Sequence, residues 1–524
     1  MKLINYIFLF AIVTQLGACG GRSGDSGDPK RPNILFAISD DQSYPYASVY
    51  GTKGINTPAF DRVANSGILF HNAFVAAPQC SPSRAAILTG KNIWQLEEAG
   101  THASNFPKKF PVFTDILEAN GYQLGYTGKP WAPGNWQITG WKRNPVGPGY
   151  NELLLDHVPS SGINRRDYFG NFSVFLDSMD ASKPFFFWYG CHEPHRSYEY
   201  ASGARSGKLM NDVELPSFLP DDSITRNDVM DYVFEIEYFD SHLQKMIDLL
   251  EEKGLLENTM IVVTADNGMP FPYAKANLQE YGTHVPLAIS WPGGIKKNGR
   301  TDALVSMIDL APTFLEVAGE EEVPEMSGRS MVRLFLNHSN ESDAFRDFVL
   351  TGRERHTHAR PDNLGYPARA IRTGDFLYVK NYKPDLWPAG DPVSETDEHG
   401  AQAHSEGFKN LFPGYHDIDG SPSKTFMMEH SDRYAELFAN AFSRRPGEQL
   451  YDIREDPACV YDLSGDPEYS ETLKQLRGQL DKLLEEQGDP RMRGSDIFDS
   501  YPRYSSMRDF EGFNKRGAYN PEYQ

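Results

Sequence analysis

Short apolar runs that alternate with helical patterns do most to limit the folds open to this chain of 524 residues. Six runs are typical of buried strands: 33–39, 68–75, 122–127, 184–190, 259–264 and 285–291. Between them, Thr57 can cap a helix that begins at Pro58, and residues 112–119 and 228–250 have amphipathic helical patterns. Because strand–helix–strand units in one sheet favour parallel crossovers, the pattern predicts an α/β fold, a large sheet flanked by helices.

A different pattern follows residue 366. Residues 369–372 and 376–380 are typical of short strands around a Thr373-Gly374-Asp375 turn, and 473–486 of a helix. A chain of this length also exceeds one comfortable core. We therefore expect a large domain over 32–365 and a smaller C-terminal α+β subdomain over 366–524.

Charge excludes one class of partner. The formal net charge is −21, and a nucleic-acid-binding face must be basic, so we expect no nucleic acid. Screening over roughly 8 Å at physiological salt still lets a locally basic pocket bind an anion.

The N-terminus is typical of an export signal. Met1-Lys2 is charged, residues 3–16 are apolar, and Leu16-Gly17-Ala18-Cys19 is similar to a bacterial lipobox. We expect a lipoprotein signal peptide over 1–18, lipidation of Cys19 and a flexible tether over 19–31. The alternatives are an ordinary cleaved signal peptide and a transmembrane helix, for which the apolar run is short.

Cys80-Ser81-Pro82-Ser83-Arg84 carries the strongest chemical signal. A Cys two residues before a Pro and four before an Arg is a substrate pattern for the enzyme that converts Cys to formylglycine. The hydrated aldehyde offers a nucleophilic hydroxyl and a second hydroxyl whose deprotonation can break down a covalent intermediate. The alternative is a small turn in which Pro82 closes a helix entrance and Cys80 is a buried small hydrophobe.

Acidic and amide side chains follow two of the predicted strands. Asp40-Asp41 ends one apolar run, and Asp266-Asn267-Gly268 follows another. Ligands of such sheets gather beyond the carboxyl ends of the strands, and an all-oxygen set suits Ca²⁺ or Mg²⁺ better than zinc. Each motif alone is more often a turn or a helix cap.

Together these motifs resemble those of the type I sulfatases, from about Pro32 to near the C-terminus. The resemblance implies an alkaline-phosphatase-like fold with a large mixed sheet, one Ca²⁺ per chain and a formylglycine (3-oxoalanine) made from Cys80. It also implies the metal-site residues: Asp40, Asp41, Cys80, Asp266 and Asn267.

The same resemblance assigns roles to four cationic or titratable residues. Arg84 would hold a formylglycine oxygen and the metal-site carboxylates, and Lys129 and Lys275 would contact sulfate. His192 would contact sulfate and protonate the leaving group. As an alternative, Arg84 is an ordinary helix-surface arginine.

The chain departs from the family pattern at Lys129-Pro130-Trp131, because many relatives have a His two residues beyond this Lys. That His assists at the formylglycine hydroxyl. We hypothesise that His102 replaces it; a surface His in a loop is the alternative.

Three segments resemble the heparan N-sulfatase (sulfamidase) branch: 192–196 (HEPHR), 266–272 (DNGMPFP) and 366–372 (YPARAIR). A cationic segment with Arg353, Arg355, His356, His358 and Arg360 could line a sugar subsite or form a solvated loop. For substrate binding we select Arg353, His356 and His358.

These resemblances predict a sulfatase that acts on sulfate esters or sulfamates of a sulfated polysaccharide or its oligosaccharides, such as heparan N-sulfate or ulvan. We expect a formylglycine-generating enzyme as maturation partner, and a periplasmic or cell-surface location with membrane attachment only through the lipid. A phosphodiesterase or phosphonate hydrolase of the same superfamily, and a noncatalytic glycan-binding lipoprotein, are the alternatives. Cys191 and Cys459 are expected to be buried free thiols, although pairing in an oxidising periplasm stays open.

Overall fold

The structure is a computed structural model that describes residues 31–295, 299–336, 345–360, 362, 364–392 and 414–504. By its contacts the chain divides into two units, Met1–Lys30 and Arg31–Gln524. The predicted signal peptide and almost all of the tether lie outside the described residues. Within the described part, no helix is both long enough and apolar enough to cross a bilayer.

A seven-stranded sheet forms the centre of the second unit, in the order β3-β4-β1-β5-β6-β2-β7. Its strands are β1 (Asn33–Ser39), β2 (Ile68–Phe74), β3 (Gln123–Gly128), β4 (Phe185–Gly190), β5 (Thr259–Ala265), β6 (Leu287–Ser290) and β7 (Gly299–Ser306). Only β6 runs antiparallel to the other six. The sheet is therefore mixed, and six strands share the same carboxyl edge.

Helices cover both faces of this sheet. They are α1 (Pro58–Ser66), α2 (Cys80–Thr89), α3 (Phe113–Ala119), α4 (Tyr168–Ser178), α5 (Ser202–Arg205), α6 (Ser223–Glu252), α7 (Glu280–Thr283), α8 (Leu310–Val317) and α9 (Val332–Leu336). Along β1, Ile34, Phe36 and Ile38 lie in one apolar cluster, whereas Leu35 and Ala37 lie in another. A strand buried on both faces must be apolar throughout, which is why this sequence shows no polar alternation.

A second, antiparallel sheet has four strands in the order β11-β10-β9-β8. They are β8 (Phe348–Arg353), β9 (Ala368–Thr373), β10 (Phe376–Asn381) and β11 (Glu448–Asp452), accompanied by α10 (Pro422–Glu429), α11 (Ala435–Phe442) and α12 (Ser470–Glu486). Helix α12 buries Leu476, Leu480 and Leu484, spaced four residues apart. Strand β8 precedes residue 366, so this sheet begins before the subdomain boundary that the sequence predicts; the boundary itself stays a prediction.

The fold class is confirmed, and all six predicted strands of the large sheet form. The cap predicted for α1 is wrong in detail. Thr57 precedes the helix but makes no side-chain cap, because its hydroxyl bonds Ser48 instead. The carboxylate of Asp240 on α6 accepts the backbone N–H groups of Ala59 and Phe60, at 2.9 and 2.8 Å, and satisfies two of the free donors of this helix end.

Candidate active site

Four oxygen-bearing side chains meet at the carboxyl edge of the large sheet. Asp40 and Asp41 directly follow β1, and Asp266 and Asn267 follow its neighbour β5. Asp266 Oδ1 accepts the backbone N–H of Asp41 at 3.1 Å, and Asn267 Nδ2 donates to Asp41 Oδ1 at 2.6 Å. Asp41 has φ of 71°, a left-handed conformation that Asp tolerates better than most residues. Parallel neighbouring strands thus bring together residues 225 positions apart.

Cys80 is the first residue of α2, which follows β2 at the same edge. Its Sγ lies 3.4 Å from Asp40 Oδ1 and 4.0 Å from Asp41 Oδ1. The thiol is buried, and burial together with the Asp40 charge raises its pKa well above the usual value. A buried thiol beside a carboxylate stays in its neutral form.

Three buried cations surround the carboxylates. Arg84 Nε donates to Asp266 Oδ2 at 2.8 Å, Lys129 Nζ donates to Asp40 Oδ2, and Lys275 Nζ donates to Asp41 Oδ2 at 2.7 Å. The guanidinium of Arg84 also donates to the carbonyl of Lys129 at 2.7 Å. Arg84 is fully buried, so it is not the helix-surface arginine of the alternative interpretation.

Burial and charge act in opposite directions on the carboxyls. Burial opposes ionisation of Asp40, but Lys129, His195 and Arg84 outweigh it and hold the pKa of Asp40 well below its ordinary value. Burial raises the pKa of Asp41 to about 6, and the Asp40 charge adds to the shift. Burial and Asp40 likewise raise the pKa of Asp266 to about 6. Asp41 and Asp266 therefore take up a proton at a higher pH than Asp40 does.

The donor set fits a hard divalent cation. Ligand atoms of Asp40, Asp41 and Cys80 lie within 4.8 Å of one another, and Asp266 and Asn267 extend the set with oxygen atoms. Asn267 Oδ1 is buried and has no hydrogen-bond partner among the residues described. A buried acceptor of this kind normally has a partner, and a cation between these oxygens would provide it.

A cavity of about 730 Å³ opens onto this cluster. Asp40, Cys80, Lys129 and His192 line it, together with aromatic and amide side chains of other loops, including Tyr126, Trp131, Trp136, Gln137, Asn144 and Asn164. His192 follows β4 by two residues, and burial and Lys129 lower its pKa to about 3. This volume is in the range of pockets that enclose small organic ligands.

His102 also lines the cavity, and it is a buried residue and not the surface residue of the alternative interpretation. Its Nδ1 lies 3.1 Å from the carbonyl oxygen of His356. Since a carbonyl only accepts, Nδ1 carries the proton and Nε2 is the basic nitrogen. Burial and His356 lower the pKa of His102 well below its usual value, which keeps the ring neutral.

Sequence reasoning missed two residues of this site. His195 lines the cavity with its Nε2 3.8 Å from Asp41 Oδ2, and Asp419 Oδ2 accepts from Lys275 Nζ at 3.1 Å. His195 belongs to the HEPHR segment, and its position three residues after His192 could have indicated that it lies at the site. Asp419 comes from a loop before α10 and had no signal in the sequence.

The cationic segment after β8 lies elsewhere. Arg353, His356 and His358 are buried, and none lines the cavity described above. Arg353 and Arg360 pair with the buried carboxylate of Asp417, at 2.9 and 2.7 Å. The segment is therefore not a solvated loop, and its contact with sugar stays a prediction. Asp417 compensates the charges of Arg353 and Arg360, and Arg355 donates to the backbone carbonyls of Tyr501 and Pro502, because a buried guanidinium needs partners.

Two family descriptions match this chain. The family described as Sulfatase matches residues 32–320, and the family described as "N-sulphoglucosamine sulphohydrolase, C-terminal" matches residues 272–395. The first match includes the carboxylate cluster, Cys80, Arg84 and the two lysines.

Curated relatives cover most of the chain. An "Ulvan-active sulfatase" of Formosa agariphila is 25% identical over 466 residues, which cover 88% of this chain and 81% of the relative. The "N-sulphoglucosamine sulphohydrolase" of Homo sapiens is 25% identical over an alignment of 531 positions, gaps included, which covers 92% of this chain and 93% of the relative.

Solved structures share the fold. One described as a complex with its substrate D-glucosamine-2-N,6-O-disulfate has a TM-score of 0.63 at 19% identity, and the match covers 90% of this chain and 99% of that one. A structure described as a 2-O GAG sulfatase has a TM-score of 0.62 at 18% identity, covering 89% of this chain and 94% of that one. These likenesses support the alkaline-phosphatase-like architecture.

Proposed function

This chain belongs to the sulfatase family, enzymes that hydrolyse sulfate esters or sulfamates, and from that premise we propose that it removes sulfate from a sulfated glycosaminoglycan or algal polysaccharide. The substrates named for its relatives include both a sulfamate sugar and ulvan. Heparan N-sulfate and ulvan fragments are accordingly the two substrate types that we propose.

One observation carries this proposal. Cys80 meets Asp40 at 3.4 Å in a cavity that also exposes Lys129 and His192. The cations beside the carboxylate cluster can offset the negative charge of a bound sulfate group. Preorganised donors of this kind stabilise a transition state by about 3 kcal/mol each. We propose that Lys129 and Lys275 contact the sulfate, that Arg84 holds the site of the modified Cys80, and that His192 acts at the leaving atom.

Two groups complete the proposed site. Asp40, Asp41, Asp266 and Asn267 would hold one Ca²⁺, beside a formylglycine formed from Cys80 by a maturation enzyme. When bound, these groups supply a nucleophilic hydroxyl and a Lewis acid for the sulfate oxygens. The remaining protein residues orient the substrate and hold or move protons.

A substrate panel tests the function. We expect sulfate release from at least one sugar among N-sulfated heparan disaccharides, O-sulfated heparan disaccharides and ulvan oligosaccharides, followed by ion chromatography and NMR. A phosphodiester, bis(4-nitrophenyl) phosphate, should be cleaved at least about 100-fold less efficiently, since a pocket built for one anion discriminates by several kcal/mol. Release of phosphate in preference to sulfate, or hydrolysis of simple aryl sulfates alone, would contradict the proposal.

Calcium binding has a readout that needs no substrate. Because the metal would bind only the folded chain, adding Ca²⁺ to chelator-treated protein is expected to raise the melting temperature, by an amount that grows with concentration. Asp266→Asn removes one negative ligand and should weaken the shift. Asp385→Asn, at an exposed position, is the matched control. An equal shift in wild type and Asp266→Asn would contradict this assignment of the metal site.

We propose His102 as the base that replaces the family histidine absent after Lys129. Its Nδ1–H donates to the carbonyl of His356, which leaves Nε2 as the basic nitrogen, and the His102 side chain lines the cavity. His102→Ala should therefore lower turnover by about 100-fold, in the range of general-base effects, and alter the pH profile. Unchanged turnover and pH dependence would end this assignment.

For location we propose export and lipid anchoring at Cys19, with the chain in the periplasm or at the cell surface. The support is the apolar stretch 3–16 followed by Leu16-Gly17-Ala18-Cys19. Mass spectrometry of the mature N-terminus should find a lipid-modified Cys19, and an unmodified N-terminus at another residue would contradict this proposal.

A further inference from the structure

Arg166 contacts the histidine that we place at the leaving group. Its Nη1 lies 3.1 Å from Nε2 of His192. A guanidinium keeps its protons in a protein and can only donate, so Nε2 of His192 must accept. The ring proton is then on Nδ1, which makes no hydrogen bond to any residue that the structure describes.

One buried carboxylate holds both residues in this arrangement. Glu193 Oε2 accepts from Tyr168 Oη at 2.8 Å, and that hydroxyl oxygen accepts the backbone N–H of His192 at 3.2 Å. Glu193 Oε1 accepts the N–H of Asn164 at 2.7 Å, and Asn164 Oδ1 accepts the N–H of Arg166 at 2.9 Å. Two short chains of hydrogen bonds therefore start at Glu193 and end at the backbones of the two partners.

The contact restricts the protonation state of His192. A doubly protonated ring would place an N–H against the guanidinium, two donors facing each other with like charge. Lys129 and Arg84 add positive charge around the ring, which disfavours its protonation, and Asp40 acts in the opposite direction. Tyr168 contacts the backbone N–H of His192, and Glu193 accepts a hydrogen bond from Tyr168. The ring is thus neutral, and a neutral imidazole is a hydrogen-bond donor through its single N–H.

We propose that Arg166 is a positioning residue that fixes His192 as the neutral Nδ1–H tautomer, which stabilises the leaving atom by a hydrogen bond and does not act as an imidazolium acid. This rests on the proposed function. The attacking hydroxyl oxygen would bond to sulfur as the S–O or S–N bond breaks, and the leaving oxygen or nitrogen takes the electron pair while Nδ1–H donates a hydrogen bond to it. The proton that the attacking hydroxyl gives up completes the alcohol or amine, and the water that hydrolysis consumes later restores that hydroxyl. A neutral imidazole that polarises an oxygen is an established catalytic device.

Leaving-group dependence tests this role. A hydrogen bond to the leaving atom matters for a sugar alcohol or amine but hardly for nitrophenolate, which is stable as an anion. Arg166→Met is therefore expected to lower kcat by about 10-fold or more on the best sugar sulfate of the panel, in line with the loss of one aimed donor. On 4-nitrophenyl sulfate it should lower kcat by less than about threefold. Arg166→Lys, which keeps a donor, should recover part of the loss.

The Arg166 proposal has its own control variant and its own contradicting results, which differ from those of the proposed sulfatase function. Arg165→Met removes the neighbouring exposed arginine and should leave both substrates unaffected. Parallel losses on the two substrates in Arg166→Met would overturn the proposal. So would ¹⁵N NMR of histidine-labelled wild-type protein that finds His192 protonated at Nε2. The NMR result holds even if no sugar sulfate is cleaved, in which case the proposed function fails and the tautomer assignment does not.

Discussion

Cys80→Ala is expected to remove sulfatase activity, with a loss of at least about 10⁴-fold in kcat, as is usual when a covalent nucleophile is deleted. The side chain lies at the start of α2, 3.4 Å from Asp40, and no other thiol of the described chain lies in the cavity. Cys80→Ser should be nearly as inactive, because its hydroxyl offers one oxygen in place of the two of a hydrated aldehyde. Activity is measured on the best sugar of the panel.

Two measurements separate this result from misfolding. Cys459→Ala alters a buried free thiol outside the cavity and should keep activity. Mass spectrometry of the peptide containing Cys80, from protein made in a maturation-competent host, should find an aldehyde mass. A fully active Cys80→Ala protein, or wild-type protein that is active with every Cys80 as a thiol, would disprove the role of this residue.

Asp417→Asn is expected to cost about 3–5 kcal/mol in the free energy of unfolding, the usual cost of removing one partner from a buried ion pair. The carboxylate forms ion pairs with Arg353 at 2.9 Å and with Arg360 at 2.7 Å, and it accepts the backbone N–H of Thr357 at 2.9 Å. Without its charge, two buried guanidinium groups lack a counter-ion. Urea unfolding monitored by fluorescence measures the loss, and Asp385→Asn is the exposed control.

The sign of the pH dependence follows from the same cluster. Burial opposes ionisation of Asp417, but Arg360, His356 and Arg353 outweigh it and hold its pKa well below the usual 3.8. The unfolded chain therefore takes up this proton at a higher pH than the folded chain. The stabilisation is complete above about pH 4 and is lost as pH falls further. Wild type should thus lose more stability than Asp417→Asn between pH 5 and 3, and parallel losses would contradict this account.

The sequence predicted the large sheet because its strands are buried on both faces and must be apolar. Strand β7 escaped detection, since its first half, Gly299–Asp302, is polar and partly exposed and only its second half is buried. The antiparallel direction of β6 was not predicted either, because the direction of a strand depends on which strands it pairs with. Of the four-stranded sheet, the sequence predicted only β9 and β10. The pairing of β9 with β8 joins residues on either side of the predicted boundary.

At the site, local motifs carried most of the prediction. Asp40, Asp41, Cys80, Lys129, His192 and Asp266 each follow a strand or begin a helix at the sheet edge, and the fold brings them together. The cationic segment illustrates the limit of this approach. Its sequence did not indicate that two of its arginines, Arg353 and Arg360, pair with Asp417, more than 50 residues further along.

The sequence alone therefore determined the fold class, the family and the site residues that belong to short motifs, because apolar runs and strand-end positions are local properties. Tertiary structure alone decided which charges are neutralised internally, which strand runs antiparallel, and that Arg166 faces His192. Those outcomes depend on contacts between distant segments, where burial makes each polar group take the partner that the fold brings within reach.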